Sequence, residues 1–439
     1  MVVTIVVLLI LAGVSISLIL DNNGIIKKSK DARREYRQAQ TNEQEDLSNL
    51  SDMIDEATAE PTPKVNVNTK AGDNSTINGK KGNSNNPTIP KNYIPIDTAT
   101  STWGDGSTAP SQDSVNHGLV IRDEQNNEWV WVPVDKATLA TMYEESSDER
   151  TLCGTTGETA VKTKLYSKSI TIGKDSNTKT ITRTMPGTTS SFREPDLVVG
   201  DDGASYDAKE EYYKTILGFD SKEKMAETFV SDYNEMIESI KTYGGFYIGR
   251  YELSEAGVQK NQPTLVKTNW YNLYKKCKSL NASDKVETRM IWGCQWDVTC
   301  NFIANKGDKK SITNSSSWGN YYNTSVKADD GTTEIKASKT SSVLNTGITT
   351  FTMANNIYDL AGNCEEWTQE AYGTVYRALR GGNYSGYGAL KPAYHCVNMS
   401  PAGDDDSIRF SSRFNNKVAL NSRAWAPEWK KLSSRHNKN

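Results

Sequence analysis

The sequence has few histidines and no closely spaced cysteines. Its three histidines are His117, His395 and His436, and none has another within metal-ligand spacing. The six cysteines are scattered and contain no Cys-x-x-Cys pair, which argues against a zinc ribbon or a thioredoxin-like site. A histidine-rich metal site is therefore excluded, while one or two disulfides stay open.

The chain is also low in apolar residues and nearly neutral. Hydrophobic residues make up 36% of its 439 residues, which is below the ordinary globular range. Since glycine, tyrosine and tryptophan are plentiful, this deficit indicates polar loops and linkers rather than general disorder. The formal net charge of −3 argues against a generally basic nucleic-acid binder, so no nucleic-acid partner is expected.

Recognisable catalytic patterns are missing too. There is no P-loop and no Gly-x-Gly-x-x-Gly run after a strand, and no acidic pair divides into a general acid and a base. A nucleophile–histidine–acid triad would need one of the three histidines. His436 lies in a basic tail, and His395 precedes Cys396, whose side chain would point the other way in a strand. These patterns favour a binding module over an enzyme, with no catalytic residue.

What the sequence does contain begins with one long apolar run. Residues 2–20, VVTIVVLLILAGVSISLIL, carry no charge. As a helix they span about 28 Å, close to the hydrocarbon thickness of a bilayer. A cleaved secretory signal is the alternative, but no basic n-region precedes the run and no A-x-A-like site closes it. The run therefore predicts a membrane anchor.

The residues after this run predict a stalk helix that ends near residue 58. Small and apolar side chains recur at helical spacing on a charged background: Ala32, Tyr36, Ala39, Leu47, Leu50 and Ile54. An apolar helix that continues into an amphipathic stalk resembles the N-terminal helix of type IV pilins and pseudopilins. The family's basic leader with a processing glycine and its glutamate inside the apolar run are missing. The resemblance implies other pilin-like subunits as partners, with a simple tether as the alternative.

Basic residues leave the membrane topology open. Six of them follow the anchor: Lys27, Lys28, Lys30, Arg33, Arg34 and Arg37. The positive-inside tendency would place this side in the cytoplasm. The pilin resemblance places it outside, and on that resemblance we expect the rest of the chain at the extracellular cell surface.

Residues 59–115 have the composition of a flexible polar linker. The stretch EPTPKVNVNTKAGDNSTINGKKGNSNNPTIPKN is rich in Asn, Gly, Pro, Lys and Thr and contains almost nothing to bury. Such a segment predicts a spacer that lets a distal domain move freely.

Residues 116–421 differ in composition and pattern, with segments typical of aromatic-rich strands and glycine-containing turns. Five segments, which we call the landmark segments, stand out in chain order: WVWVPV (129–134), GGFYIGRYE (244–252), QWD (295–297) on a helix predicted over 289–304, YDLAGNCEEWT (358–368) and LRGGNY (379–384). In this order they resemble the formylglycine-generating enzyme (sulfatase-modifying factor) family. The resemblance implies an α+β, loop-rich, C-type-lectin-like domain. Residues 422–439, which follow it, form a basic tail.

The YDLAGNCEEWT segment is where the resemblance implies a structural calcium ion. In this family the turn folds around calcium with backbone carbonyls and side-chain oxygens, which are the ligands that this hard cation prefers. By position, Asn363 and Glu366 would be the side-chain ligands and Trp367 would point into the core, as would Trp296 on its helix. Glu365 stands where the family usually has an aromatic residue. The alternative is a turn capped by Asn363 with both glutamates solvated.

The residues after Arg-Gly-Gly argue against the family's oxidase chemistry. Active members use two cysteines there to bind copper(I), a task suited to soft ligands. By position these cysteines fall on Gly386 and Lys391, and only Cys396 remains nearby. We therefore expect no copper and a catalytically inactive domain. An enzyme of the same family with altered chemistry is the alternative.

The interval between Tyr384 and Ser407 has the composition of a recognition surface. Tyrosine provides contact area at low entropic cost, and small polar residues adapt their hydrogen bonds. The predicted ligand-binding residues are Tyr384, Ser385, Tyr387, Lys391, Tyr394, His395, Asn398, Asp404, Asp405 and Asp406. The ligand would be a protein or a glycan, and the alternative is a polar surface loop without a ligand.

This interval also resembles the part of lectin-fold proteins that retroelements diversify. Mutagenesis of adenines in asparagine codons yields mainly Asn, Asp, Ser, Gly, Tyr, His, Ile and Cys, and such residues dominate here. The resemblance implies a diversified receptor or adhesin, although a protein sequence does not show codons.

Overall fold

The structure, a computed structural model, describes most of the chain from residue 60 onward. The described residues are 32–33, 35–36, 60–142, 145–153, 160–166, 168–174, 177–183, 192–199, 205–280, 286–402, 414–415 and 418–422. The chain divides into two compact units, Met1–Glu60 and Pro61–Asn439. The predicted anchor, nearly all of the stalk and residues 404–406 lie outside the described residues. No helix within the described ranges is long and apolar enough to cross a bilayer.

A six-stranded sheet carries the first two landmark segments. Its strands in spatial order are β1 (Ile94–Ile96), β2 (Val120–Arg122), β3 (Glu128–Pro133), β9 (Gly245–Gly249), β19 (Val418–Ser422) and β10 (Val286–Met290), and each pairing is antiparallel. Alternation along β3 sends Val130 and Val132 into one core cluster and Trp129 and Trp131 into another. Both faces of this sheet are therefore covered.

A second, mixed sheet carries the last two landmarks. Its strands in spatial order are β17 (Cys396–Met399), β16 (Tyr376–Arg380), β15 (Glu365–Tyr372), β8 (Phe192–Arg193), β7 (Asn177–Arg183) and β6 (Lys168–Lys174), with β18 (Phe414–Asn415) parallel to β15. Three separate strand pairs are β4 (Glu145–Cys153) with β5 (Val161–Tyr166), β11 (Val326–Lys327) with β12 (Glu334–Lys336), and β13 (Met353–Ala354) with β14 (Ile357–Tyr358). The expected mixture of α and β structure is confirmed.

Helices connect and cover these sheets. They are α1 (Gln112–Asn116), α2 (Lys136–Met142), α3 (Lys222–Tyr243), α4 (Trp270–Ser279) and α5 (Gly293–Asn305). The longest, α3, begins where the Ser221 side chain accepts the Lys224 backbone N–H, and it ends at Gly244 with φ 74°. Serine before the first turn and a left-handed glycine after the last are common helix boundaries.

Helix α5 is almost entirely buried and carries the QWD segment. Glu194, itself buried, accepts the backbone N–H groups of Gly293 and Cys294 at 2.8 Å each and so caps the positive end of the helix. The helix begins at residue 293, later than predicted, because strand β10 extends to Met290. The predicted burial of Trp296 is confirmed.

Residues 61–115 are not the flexible spacer that their composition indicates. Ile77, Ile89, Tyr93 and Trp103 are buried, and β1 forms the edge of the six-stranded sheet. The Trp103 indole N–H also donates to the Val120 carbonyl at 2.8 Å. The linker prediction is wrong for these residues, because a few widely spaced apolar side chains are enough to dock a polar segment.

Candidate functional site

The candidate site lies where the hairpin of β15 and β16 meets the loop that follows it. Arg380 ends β16 and is fully buried. Its guanidinium contacts Asp297 on α5 at 3.2 Å and Glu370 on β15 at 2.6 Å. Breaking such a buried pair leaves an uncompensated charge and costs about 3–5 kcal/mol. The start of the loop is therefore fixed to the core.

Two glycines let the chain turn sharply after Arg380. Gly381 and Gly382 have φ values of 88° and 75°, which favour glycine. A Cβ on Gly382 would lie 2.1 Å from the Lys391 carbonyl oxygen. The Arg-Gly-Gly segment is thus required for the close return of the chain towards β17.

The Gly-Asn turn of YDLAGNCEEWT is held by protein groups. The Asn363 Oδ1 accepts hydrogen bonds from the Asn320 side chain and from the Leu344 backbone N–H, both at 2.9 Å. Its Nδ2 donates to the Glu252 carboxylate at 2.5 Å. A carboxamide oxygen has two acceptor sites, and both are taken. For Asn363 to act as the predicted calcium ligand, its side-chain oxygen would have to give up one of these bonds.

Glu252 is the acidic residue that organises this turn. It ends the GGFYIGRYE landmark and is fully buried. Besides Asn363, it accepts the Cys364 backbone N–H at 3.2 Å and the Thr264 hydroxyl at 2.8 Å. Glu252 is not among the site residues predicted from sequence, and its place at the end of the GGFYIGRYE segment is the signal that could have identified it.

Neither of the adjacent glutamates is solvated. Glu365 is 3% exposed and forms an ion pair with Lys391 at 2.9 Å. Glu366 is fully buried beside Gly381, where an added Cβ would lie 2.5 Å from its Oε2. The alternative of a turn with two exposed glutamates is wrong. The predicted burial of Trp367 is confirmed.

The structure brings together the two positions where the resemblance places copper-binding cysteines. An ideal Cβ on Gly386 would lie 3.5 Å from the Cβ of Lys391, a separation at which two cysteines can meet. Glycine has no side chain, however, and the Lys391 ammonium is paired with Glu365. Neither residue fits a soft metal such as copper(I).

Backbone hydrogen bonds fix the loop over residues 383–395, which we call the display loop. It lies against the segment 311–324, and three bonds join them: Tyr322 N–H to Gly386 O at 2.9 Å, Ser315 N–H to Gly388 O at 2.9 Å, and Tyr394 N–H to Ile312 O at 3.3 Å. Because these bonds use main-chain atoms, the loop conformation is set largely independently of its exposed side chains.

Two large apolar side chains stand exposed on the display loop. Tyr387 is 47% exposed and Leu390 is 73% exposed. The Tyr387 ring packs edge-to-face on Tyr322, with ring centroids 5.6 Å apart. In the described part of the chain five large apolar side chains are exposed, and the other three are Tyr36, Ile348 and Tyr376. The tip of this loop is thus an apolar patch on a polar chain.

The other predicted ligand-binding residues differ in their exposure and contacts. Tyr384 and Ser385 are partly exposed, and the Ser385 hydroxyl donates to the Asn383 side chain at 2.8 Å. Tyr394 is partly buried, with the Lys179 ammonium 5.7 Å from its ring centroid. Asn398 is exposed on β17, and Asp404, Asp405 and Asp406 lie outside the described residues.

His395 sits at the base of the display loop in an environment that disfavours its charged form. Burial, then the positive charges of Lys391 and Arg380, lower the pKa of His395 to about 4. Its Nε2 is buried and finds no hydrogen-bond partner among the described residues. The imidazole is therefore neutral at physiological pH.

The patch includes two residues that the sequence analysis did not select. Leu390 lies inside the predicted interval, and an aliphatic residue among polar ones was its signal. Tyr322 is 65 positions earlier than Tyr387, and no sequence signal connects the two.

Elsewhere, three carboxylates approach one another closely enough to suggest a metal site. Ligand oxygens of Asp232, Glu235 and Glu287 lie within 4.8 Å of one another. The Arg289 guanidinium lies among them, 3.0 Å from Asp232 and 2.8 Å from Glu235, and also contacts Glu287. The Lys278 ammonium also lies 3.1 Å from Asp232 and 3.6 Å from Glu287, so two cationic side chains already offset most of the negative charge of this cluster.

Comparisons with known proteins give distant similarities. No family model and no curated protein matches the sequence. Similar solved structures include Treponema denticola variable protein 1, at 15% identity and a TM-score of 0.22 over 63% of this chain and 100% of that one. They also include PvdO from Pseudomonas aeruginosa, at 12% identity and a TM-score of 0.27 over 63% of this chain and 99% of that one. At these TM-scores neither likeness supports an argument about this chain.

Proposed function

We propose that this chain is a membrane-anchored binding protein that displays a ligand-contacting loop at the cell surface. Its domain would be a catalytically inactive relative of the formylglycine-generating enzymes with a C-type-lectin-like fold. One observation carries the binding proposal: Tyr387 and Leu390 are exposed on a loop whose backbone is held by hydrogen bonds.

A fixed backbone favours binding because little conformational freedom is lost when the ligand arrives. Tyr387 adds a ring that is already packed on Tyr322, so its orientation is preset. Aromatic anchors surrounded by polar residues are the groups that contribute most at protein interfaces. The patch therefore has the make-up of a binding surface.

The ligand that this patch favours is a protein with an exposed apolar spot. Leu390 is aliphatic, the most exposed of the large apolar residues here, and has no hydrogen-bonding group. Burying it against another apolar side chain is favourable by about 25 cal/mol per Å² of apolar surface removed from water. A glycan, which needs polar contacts, is the other outcome of the test below.

The residues at positions 386 and 391 support the proposed inactivity. Glycine and an ion-paired lysine supply no thiolate, and the family's oxidation of a substrate cysteine needs two of them. Copper-dependent oxidation of a cysteine-containing peptide by the purified chain would contradict this part of the proposal.

The membrane part of the proposal depends on the apolar run over 2–20. That run would anchor the chain directly or join it to other pilin-like subunits. The binding domain would then face the outside of the cell, as the pilin resemblance implies.

The proposal extends to diversification of the display loop by a retroelement. The composition of residues 384–407 supports it, since Tyr, Ser, Gly and Asp each occur three times there, together with one Asn and one His. Sequencing the flanking DNA tests it. A near-copy of the codons for residues 380–415 beside a reverse-transcriptase gene is expected, and a locus without such a copy would contradict it.

The binding proposal is tested with full-length protein in detergent, probed on protein and glycan arrays. We expect a protein ligand, and we expect Tyr387→Ala and Leu390→Ser each to weaken its binding at least about tenfold, which is about 1.4 kcal/mol. Tyr376→Ala is the matched control, because Tyr376 is also exposed but lies at the opposite end of β16 from the display loop.

Three results separate the outcomes. Loss of binding in both loop variants but not in the control supports the proposal. Equal binding by all four proteins places the ligand elsewhere and overturns it. Binding to glycans alone, with loss of that binding in both loop variants but not in the control, keeps the display loop as the site but replaces the protein ligand.

A further inference from the structure

A lysine ammonium is enclosed by backbone carbonyls at the base of the β11–β12 hairpin. Lys336 ends β12 and is only 4% exposed. Its Nζ lies within hydrogen-bond distance of four carbonyl oxygens, among which its three N–H groups are shared: those of Tyr321 at 2.8 Å, Thr324 at 2.8 Å, Thr340 at 3.1 Å and Ala337 at 3.3 Å. Two of the acceptors precede the hairpin and two follow it, so the ammonium joins both ends.

This arrangement differs from the usual way of burying a charge. Buried lysines are ordinarily paired with a carboxylate, whereas all four acceptors here are neutral. Burial lowers the pKa of Lys336, and the attraction of Glu334 opposes that shift. Carbonyls that point inward without a donor or a cation are costly. The ammonium thus performs the task that a bound metal ion performs in many loops.

We propose that these four carbonyl oxygens form a cation-binding site and that the Lys336 ammonium is its built-in occupant. Removal of the side chain then leaves a site for a free monovalent cation of ammonium's size, potassium above all. Carbonyl oxygens alone suffice for potassium. Calcium is disfavoured, since it needs contacts of about 2.3–2.6 Å and usually carboxylates.

The site adjoins the segment 311–324, against which the display loop packs. Tyr321 supplies one carbonyl, and the next residue, Tyr322, packs on Tyr387 and donates its N–H to Gly386. Lys339, close to the site in sequence, donates its backbone N–H to the Tyr322 carbonyl at 2.6 Å. The cation site therefore orders the segment against which the loop rests, whatever the loop binds.

The experiment compares full-length wild type with Lys336→Ala by thermal denaturation. Each is measured in potassium, ammonium, sodium and choline chloride at equal ionic strength. We expect the variant in choline to melt several degrees below wild type. Potassium and ammonium should raise its melting temperature in a saturable manner, and more than sodium does, because a ligand of the folded state stabilises it. Wild type should melt alike in potassium and choline.

Two further variants make the result decisive. Lys327→Ala, in the same hairpin but exposed, should show no preference among the cations. Lys336→Met keeps the apolar stem, so it should lose stability that no cation restores. The proposal is overturned if Lys336→Met melts like wild type, or if no cation raises the melting temperature of Lys336→Ala. If Lys336→Ala is unfolded in choline, recovery in potassium or ammonium supports the site and failure in both refutes it.

Discussion

At the scale of single residues, the indole of Trp367 anchors the strand that follows the Gly-Asn turn. It is fully buried, so Trp367→Ala should lower the free energy of unfolding by about 3–5 kcal/mol. Denaturant unfolding of the full-length protein measures this loss. Tyr376→Ala is the control and should change stability by less than about 0.5 kcal/mol, as exposed positions do. Equal stabilities of the two variants would contradict our placement of this strand.

Glu252 should stabilise the turn without help from calcium. Its buried carboxylate accepts hydrogen bonds from Asn363 and Cys364, and bonds to charged groups are worth about 1.5–3 kcal/mol each. Glu252→Gln should therefore lower the melting temperature equally in calcium and in chelator. The wild-type protein should melt at one temperature in both. A fall on chelation would show that calcium contributes after all.

The lowered pKa of His395 should make the folded protein less stable in weak acid. Its pKa is about 4 in the folded protein against 6.5 for the free side chain. Between these values the unfolded chain binds a proton that the folded protein does not. The contribution of His395 to the free energy of unfolding is therefore fully present above pH 6.5 and decreases towards pH 4. At pH 5 the loss is on the order of 2 kcal/mol.

The variant His395→Gln isolates this contribution. Its stability relative to wild type, measured by urea unfolding at pH 7.5 and pH 5, should improve at the lower pH. Comparing the two pH values cancels any packing change that the substitution makes. A difference that does not vary with pH would mean that His395 charges freely in the folded protein.

The sequence predicts which aromatic residues of this site are buried, but it does not predict which polar side chains pair with one another. The burial of Trp296 is expected from its helix, and that of Trp367 from the resemblance of its segment to the formylglycine-generating enzyme family. Asn363, in contrast, meets Glu252 across 111 positions of the chain, and Glu365 meets Lys391 across 26. Such pairings exist only once the chain is folded, so local composition suggested solvated glutamates.

At the scale of elements, the segment over 61–115 shows how asparagine and glycine can signal turns rather than disorder. Asn68, Asn74 and Asn92 adopt φ values of 61°, 48° and 68°, a left-handed conformation that asparagine tolerates better than most residues. Between these turns, single apolar residues enter the core. Composition measures polarity over the whole segment and misses this alternation.

This segment should resist proteolysis in the native protein. Trypsin should leave Lys64, Lys70 and Lys91 uncut in the full-length chain, because the backbone around them is hydrogen-bonded to neighbouring turns and to Tyr93 and Pro95. Mass spectrometry of the digest identifies the cleavage sites. Trp103→Ala should make the segment susceptible. Rapid cleavage within it in the wild-type protein would restore the linker interpretation.

At the scale of the whole molecule, the run over residues 2–20 should decide where the protein is found. The full-length chain should sediment with membranes and be released by detergent but not by high salt. A chain that begins at Glu60, where the two compact units divide, should stay in the supernatant. Equal partitioning of the two chains would contradict the anchor.

The attachment of the display loop has a consequence for protein engineering. Main-chain bonds hold it to residues 311–324, so its exposed positions can be randomised in a combinatorial library without changing the scaffold. Gly382 and Gly388 must stay constant, because added Cβ atoms would lie 2.1 Å and 2.6 Å from neighbouring backbone atoms. Positions 385, 387, 389 and 390 are the ones to vary. The fold thus separates the residues that specify a shape from those that are free to specify a target.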